Sequence, residues 1–253
     1  MPDASDALLE VVPRRRRRTP RPWRQGEATT RRWNLELLAW AVCGLGAGVL
    51  AGRAASVLLP SEAAGGAVRA AVWVALGVPV AVALSRSRPR GLLRARPVDA
   101  LYGIVFGVAL RGLQGWLEGL GGDPVAWPST FSADGFLPES FAVDALSDTI
   151  VAPLVEEFFF RGVVLVCTYV VLREVSERVG AGVAAVAFST ALFVAAHQLV
   201  SDTSGADPLA LAAVGAVAGT FVMATGRIWP AIAMHVVFNA TGYLLLAAGT
   251  LLS

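Results

Sequence analysis

The chain contains no lysine. All 21 basic side chains among its 253 residues are Arg, which excludes Schiff-base and lysine-dyad chemistry. Charge of either sign is scarce: 16% of residues are charged, against about 25% in a soluble domain. Two cysteines, Cys43 and Cys167, fall in apolar stretches, where a thiol packs as a small hydrophobe, so no disulfide framework is expected. Histidine is equally rare, with only His197 and His235. What fills the chain is apolar: 55% of residues are hydrophobic and the mean hydropathy is +0.62. Stretches near the roughly 20 residues needed to cross about 30 Å of hydrocarbon recur along most of the length. The predicted fold class is all-α, a polytopic transmembrane bundle of seven or eight helices.

Residues 1–33 hold nine Arg, including the run Arg14 to Arg18, with Pro13, Pro20 and Pro22 interleaved and no apolar periodicity. This predicts a disordered cytosolic tail whose basic charge sets topology, with no call for a nucleic-acid partner. The first apolar stretch starts too late and runs too long for a cleaved signal peptide. Hydropathy predicts helices at 37–59, 67–85, 99–120, 143–172, 181–200, 208–226 and 228–252. Two N-terminal helices thus occupy 34–98, ahead of a core at 99–253. Arg86, Arg88, Arg90, Arg94 and Arg96 crowd the second loop, and Arg173 and Arg178 lie in the fourth. The intervening loops carry acids instead: Glu62, Asp123, Asp134, Glu139, Asp202 and Asp207. By the positive-inside rule the N-terminus is cytosolic and the C-terminus outside.

Gly44, Gly48 and Gly52, and Gly215 and Gly219, recur at the spacing that lets helices approach closely in lipid. Arg111, Gln114 and Glu118 sit in the third span, which should therefore face the bundle interior or a wet cavity.

Chemistry concentrates in three spans. In Val155-Glu156-Glu157-Phe158-Phe159-Phe160-Arg161-Gly162 each charge would cost about 2.5–3.5 kcal/mol at mid-bilayer. Glu157 and Arg161 share a helix face at i, i+4 and can form an ion pair, whereas Glu156 points about 100° away. A free carboxylate in a low-dielectric site is a candidate general base. The bland alternative is an interhelical polar clamp. His197 closes the string Phe193-Val194-Ala195-Ala196-His197, and His235 shares a face with Asn239 at i, i+4 in His235-Val236-Val237-Phe238-Asn239.

The Glu-Glu-x-x-x-Arg, Phe-x-x-x-His and His-x-x-x-Asn motifs, each in its own helix and in this order, resemble the CAAX prenyl protease and bacteriocin-processing (CPBP, or Abi) family of intramembrane endopeptidases, over roughly residues 99–250. The resemblance implies that Glu156 and His197 activate a water, that His235 and Asn239 stabilise the oxyanion, and that Glu157 and Arg161 are supporting residues. It also implies a membrane-anchored protein or peptide as substrate, with membrane lipid around the chain. Two schemes stay open: metal-free glutamate catalysis, which is favoured, or zinc held by Glu156, His197 and His235. The all-Arg composition and short length point to a bacterial cell membrane. A catalytically silent scaffold of the same fold and a transporter with buried charges are the competing classes. At about 1.5 Å per residue, His197 should lie near the outer end of its span and His235 only some 10 Å from the inner end. A shared site therefore requires tilted helices or a broken span.

Overall fold

The computed structural model describes residues 21–26, 28–120, 128–130, 135–200 and 208–252. Among them the chain is helical, with no strand. The transmembrane elements are α1 (Leu35–Leu58), α2 (Ser61–Arg86), α3 (Pro97–Gly119), α4 (141–172), α5 (Arg178–Val200), α6 (Pro208–Thr225) and α7 (Trp229–Leu252). All but α4 are long and apolar enough to cross a membrane. The seventh path, α4, is unbroken but changes pitch, with π-helical turns at Ser147–Val151 and Phe158–Val164 between α-helical pieces. Helix starts follow local chemistry: the Asn34 side chain accepts the Leu37 amide, and Pro97 opens α3 while the Asp99 carboxylate accepts the Arg96 amide, satisfying donors a first turn leaves unpaired.

Glycine fixes the closest packing. Gly44, Gly48 and Gly52 face Pro79, Ala75 and Val68 on antiparallel α2, and Gly215 and Gly219 face Thr190 and Val186 on antiparallel α5. Gly103 and Gly107 face Ala233 and Val237, so α3 and α7 run parallel. At Gly107 an added Cβ would lie 2.8 Å from the Met234 carbonyl oxygen. These registers define two ends of the bundle. One gathers residues 21–33, the 87–96 connection, the α4–α5 connection and the α6–α7 turn. At the other, α1, α3, α5 and α7 finish and α2, α4 and α6 begin.

Two expectations change. Residues 1–20 lie outside the described residues, as do the loop acids Asp123, Asp134, Asp202 and Asp207. Residues 23–32, however, carry 3-10 turns at Trp23–Gln25 and Ala28–Arg32, where composition predicts disorder. Indole anchoring is the reason: Trp23 and Trp33 are each 1% exposed, with Nε1 of Trp23 donating to the Gly226 carbonyl and that of Trp33 to Ser87 Oγ.

The second change concerns depth. Ile228 reaches Gly162 of α4 with its side chain, and the α6–α7 turn is buried, level with the first turns of α3 and α5, where Arg227 meets Asp99 and Met223 meets Gly182. Its backbone is satisfied locally: the Ile228 amide donates to Leu92 O, Arg24 donates to Met223 O and Ala224 O, and the buried Arg227 guanidinium pairs with Asp99 (Nε to Oδ1 3.1 Å). A buried turn persists only when protein groups replace water in this way. His235, less than two turns into α7, meets Glu157.

Candidate active site

Proline shapes the helix that carries the acids. In the π turn at Ser147–Val151 the Ala152 amide bonds the Ser147 carbonyl, one residue further back than in an α-helix. The next amide in that pattern would serve Asp148 O, but residue 153 is Pro and has none. Asn239 supplies the missing donor, its Nδ2 lying 2.7 Å from Asp148 O. The second π segment begins directly after Glu157, so the paired acids sit on a short α-helical piece bounded by π turns, which often mark functional sites.

The acids divide as their positions suggest. Glu157 and Arg161 are 0% exposed, with Arg161 Nη1 3.3 Å from Glu157 Oε1. The guanidinium also lies 4.4 Å from the Phe193 ring centre. Glu157 Oε1 accepts from His235 Nδ1 at 2.9 Å. Since a carboxylate offers only acceptors, that ring nitrogen carries the proton, and in the neutral ring Nε2 presents its lone pair. His197 repeats the arrangement, its Nδ1 donating to Phe193 O at 2.9 Å. Both Nε2 atoms then converge on one oxygen, Glu156 Oε2, at 3.8 Å from His197 and 3.9 Å from His235. Ser189 donates to Phe160 O and locks α5 to α4 beside the pair.

Glu156, His197, His235 and Asn239 line one cavity of about 600 Å³, with Glu157 and Arg161 behind its wall. Residues 138–241 match the family described as Rce1-like, Type II CAAX prenyl endopeptidase Rce1-like. This segment is similar to the CAAX protease family. The match takes in α4, α5, α6 and α7 through Asn239. No curated protein and no solved structure matches the chain. Six membrane-long helices and a segment similar to a family of membrane proteases together make this an integral membrane protein.

Around the matched segment, the cavity recruits residues that motif reading passed over. Asp148, Tyr243 and Arg69 form a polar cluster at its wall, with Tyr243 donating to Asp148 Oδ2 at 2.6 Å and Arg69 pairing with Asp144 at 2.8 Å. Arg69 comes from α2, outside the segment that matches the family. Its only signal in the sequence is a lone charge inside an apolar span. Arg111, expected to face a wet cavity, does line it, resting on the Phe238 ring at 4.0 Å and donating to Phe238 O. Gly242 leaves the space its guanidinium occupies.

The metal alternative is testable on donor chemistry. The donor types of Glu156, His197 and His235 suit zinc, and both rings hold their other nitrogen to an acceptor, as metal-binding imidazoles do. Separations of 3.8 and 3.9 Å exceed the roughly 3.3 Å between ligand atoms of a tetrahedral zinc site. Among the described residues no group of His, Cys, Asp and Glu has metal-holding spacing as it stands.

Proposed function

We propose that this protein hydrolyses a peptide bond of a membrane-anchored protein or peptide inside the cavity, using a water activated by Glu156 and His197 without a metal ion. The convergence of both imidazole Nε2 atoms on Glu156 Oε2 carries this reading. A water between these three groups donates one proton to Glu156 as its oxygen bonds to the scissile carbonyl carbon. When the C–N bond breaks, that proton passes to the leaving amine, with His197 within reach as relay.

Charge balance supports His235 as an oxyanion donor. Two carboxylates, Glu156 and Glu157, share this low-dielectric region with one guanidinium, Arg161, so one further proton neutralises the set. On His235 that proton gives an imidazolium held by Glu157 through Nδ1, with Nε2–H free to meet the oxyanion. Asn239 has a second amide proton beyond the one given to Asp148 O, and it joins this clamp. Each such donor is worth about 3–4 kcal/mol in the transition state.

The lone-pair arrangement of the two rings favours one second reading. Zinc held by Glu156, His197 and His235 would supply Lewis acidity and an acidified water. Purified protein that cleaves in chelator and contains no stoichiometric zinc supports the metal-free scheme; loss of cleavage, restored by added zinc, overturns it.

The central test compares peptides released by cells carrying the chain with those from cells carrying Glu156→Gln. Products present only with Glu156 are expected, and His197→Ala and His235→Ala should also remove them while the protein still inserts. Identical peptide sets would remove Glu156 as the base. Solute flux through proteoliposomes without proteolysis would favour transport, and neither activity would leave a silent scaffold.

A further inference from the structure

The cavity belongs to one end of the bundle. Its lining comes mainly from the first part of α2 (Gly65 to Leu76), α4 from Asp148 to Phe160, the last turn of α5 (His197, Val200), the start of α6 (Leu211) and α7 from Asn239 to Leu246, while Leu45 of α1 and His235 and Phe238 of α7 form its inner end. The registers described above place all of these where α2, α4 and α6 begin and α5 and α7 finish. No lining residue comes from the 87–96 connection, the α4–α5 connection or the α6–α7 turn.

Arginine is divided between the ends in the opposite sense. Arg24, Arg31, Arg32, Arg86, Arg88, Arg90, Arg94, Arg96, Arg173 and Arg178 all lie at the end away from the cavity, and in sequence the five-Arg run Arg14 to Arg18 precedes the first of them. The connections on the cavity side, 120–140 and 201–207, contain no Arg in sequence, only Asp123, Asp134, Glu139, Asp202 and Asp207. On that side Arg69 is tied to Asp144 and Arg111 is drawn inward to Phe238 O, which leaves Arg53, in the last turns of α1, as an exposed Arg near this end against the ten at the other. Orientation follows the Lys/Arg bias of short loops and segments close to helix ends. Here that bias is carried by three chain segments, 24–32, 86–96 and 173–178, and has one direction.

We propose that the catalytic cavity opens to the extracytoplasmic side, so that the substrate is an exported peptide or the outward-facing juxtamembrane segment of a membrane-anchored protein. The inference rests on the protease reading of the cavity for its substrate class, but its orientation stands without it. A CAAX prenyl substrate, the type named in the family's description, would reach this cavity only from the end away from the Arg-rich segments.

Orientation is measured directly by cysteine labelling in intact spheroplasts. The variants carry Cys43→Ala and Cys167→Ala, plus either Gly65→Cys at the cavity mouth or Ala95→Cys at the Arg-rich end. A Cβ at Gly65 meets nothing within 4 Å, and Ala95 is exposed, so neither change should disturb folding. A membrane-impermeant maleimide is expected to label Gly65→Cys in intact spheroplasts, and Ala95→Cys only after permeabilisation. A second pair, Ser140→Cys and Glu177→Cys, is exposed at the same two ends and should repeat the pattern. Reversed labelling, labelling of both ends or of neither overturns the proposal. None of these outcomes depends on proteolysis, so loss of the protease reading would be seen separately in the Glu156→Gln comparison.

Discussion

Asn239 donates through Nδ2 to the carbonyl oxygen of Asp148 at 2.7 Å, taking the acceptor that Pro153 leaves without an amide. One amide group thus braces the helix that carries Glu156 and stands in the cavity beside His235. Asn239→Leu should leave a half-buried carbonyl without its donor, at a cost of about 1 kcal/mol. Pro153→Ala returns an amide to the helix, so Pro153→Ala/Asn239→Leu should be more stable than Asn239→Leu alone. Thermal unfolding in detergent of the two single variants and the double variant checks this coupling.

Arg161 is the only guanidinium within ion-pair distance of Glu157 among the described residues. Removing it as Arg161→Met leaves a buried carboxylate without its cation and should destabilise by about 3–5 kcal/mol. Glu157→Leu/Arg161→Met removes both charges and should regain much of that loss in an unfolding assay. Cleavage should stay absent, because His235 has lost the acceptor of its Nδ1 proton.

Gly107 and Gly46 form a matched pair. At Gly107 a methyl would collide with Val237 and with the backbone oxygen of Met234, which precedes His235, whereas at Gly46 it meets nothing within 4 Å. Gly107→Ala should destabilise by about 1–3 kcal/mol and lower kcat by displacing His235. Gly46→Ala should leave activity unchanged and stabilise by up to about 1 kcal/mol. Unfolding midpoints and turnover measured on the same preparations distinguish the two.

Asp99 holds Arg227 at the buried α6–α7 turn. Asp99→Ala leaves that guanidinium buried without its carboxylate and is expected to cost about 3–5 kcal/mol. Proteolytic nicking near residue 226 should appear in the variant well below its unfolding temperature. Turnover should fall with it, since this turn sets the depth of His235.

Much of the bundle was legible in the sequence because a bilayer restricts the choice of backbone. Apolar stretches of spanning length must be helices, and each predicted span corresponds to an observed helix within a few residues, except that α2 starts six residues earlier. The division of Glu156 from Glu157 followed from helical angle alone. Residues 21–33 were misjudged because their anchoring depends on Trp23 and Trp33 finding Gly226 and Ser87, contacts far apart in sequence. Arg69, Asp148 and Tyr243 escaped notice for the same reason: each is a single polar residue whose partner lies on another helix.

The sequence by itself determined that the chain is a helical membrane bundle and that its rare polar side chains fall in three helices with a protease-like motif order. Periodicity and solvation are local properties, and they suffice for that. Only the tertiary structure decided that His197 and His235 meet at one oxygen of Glu156. Residue counting separates their depths, and the buried α6–α7 turn from which α7 starts is held by Leu92, Arg24 and the Asp99–Arg227 pair, contacts that residue counting does not contain. The depth at which a helix begins is set by what replaces water at its end, and those groups come from distant parts of the chain.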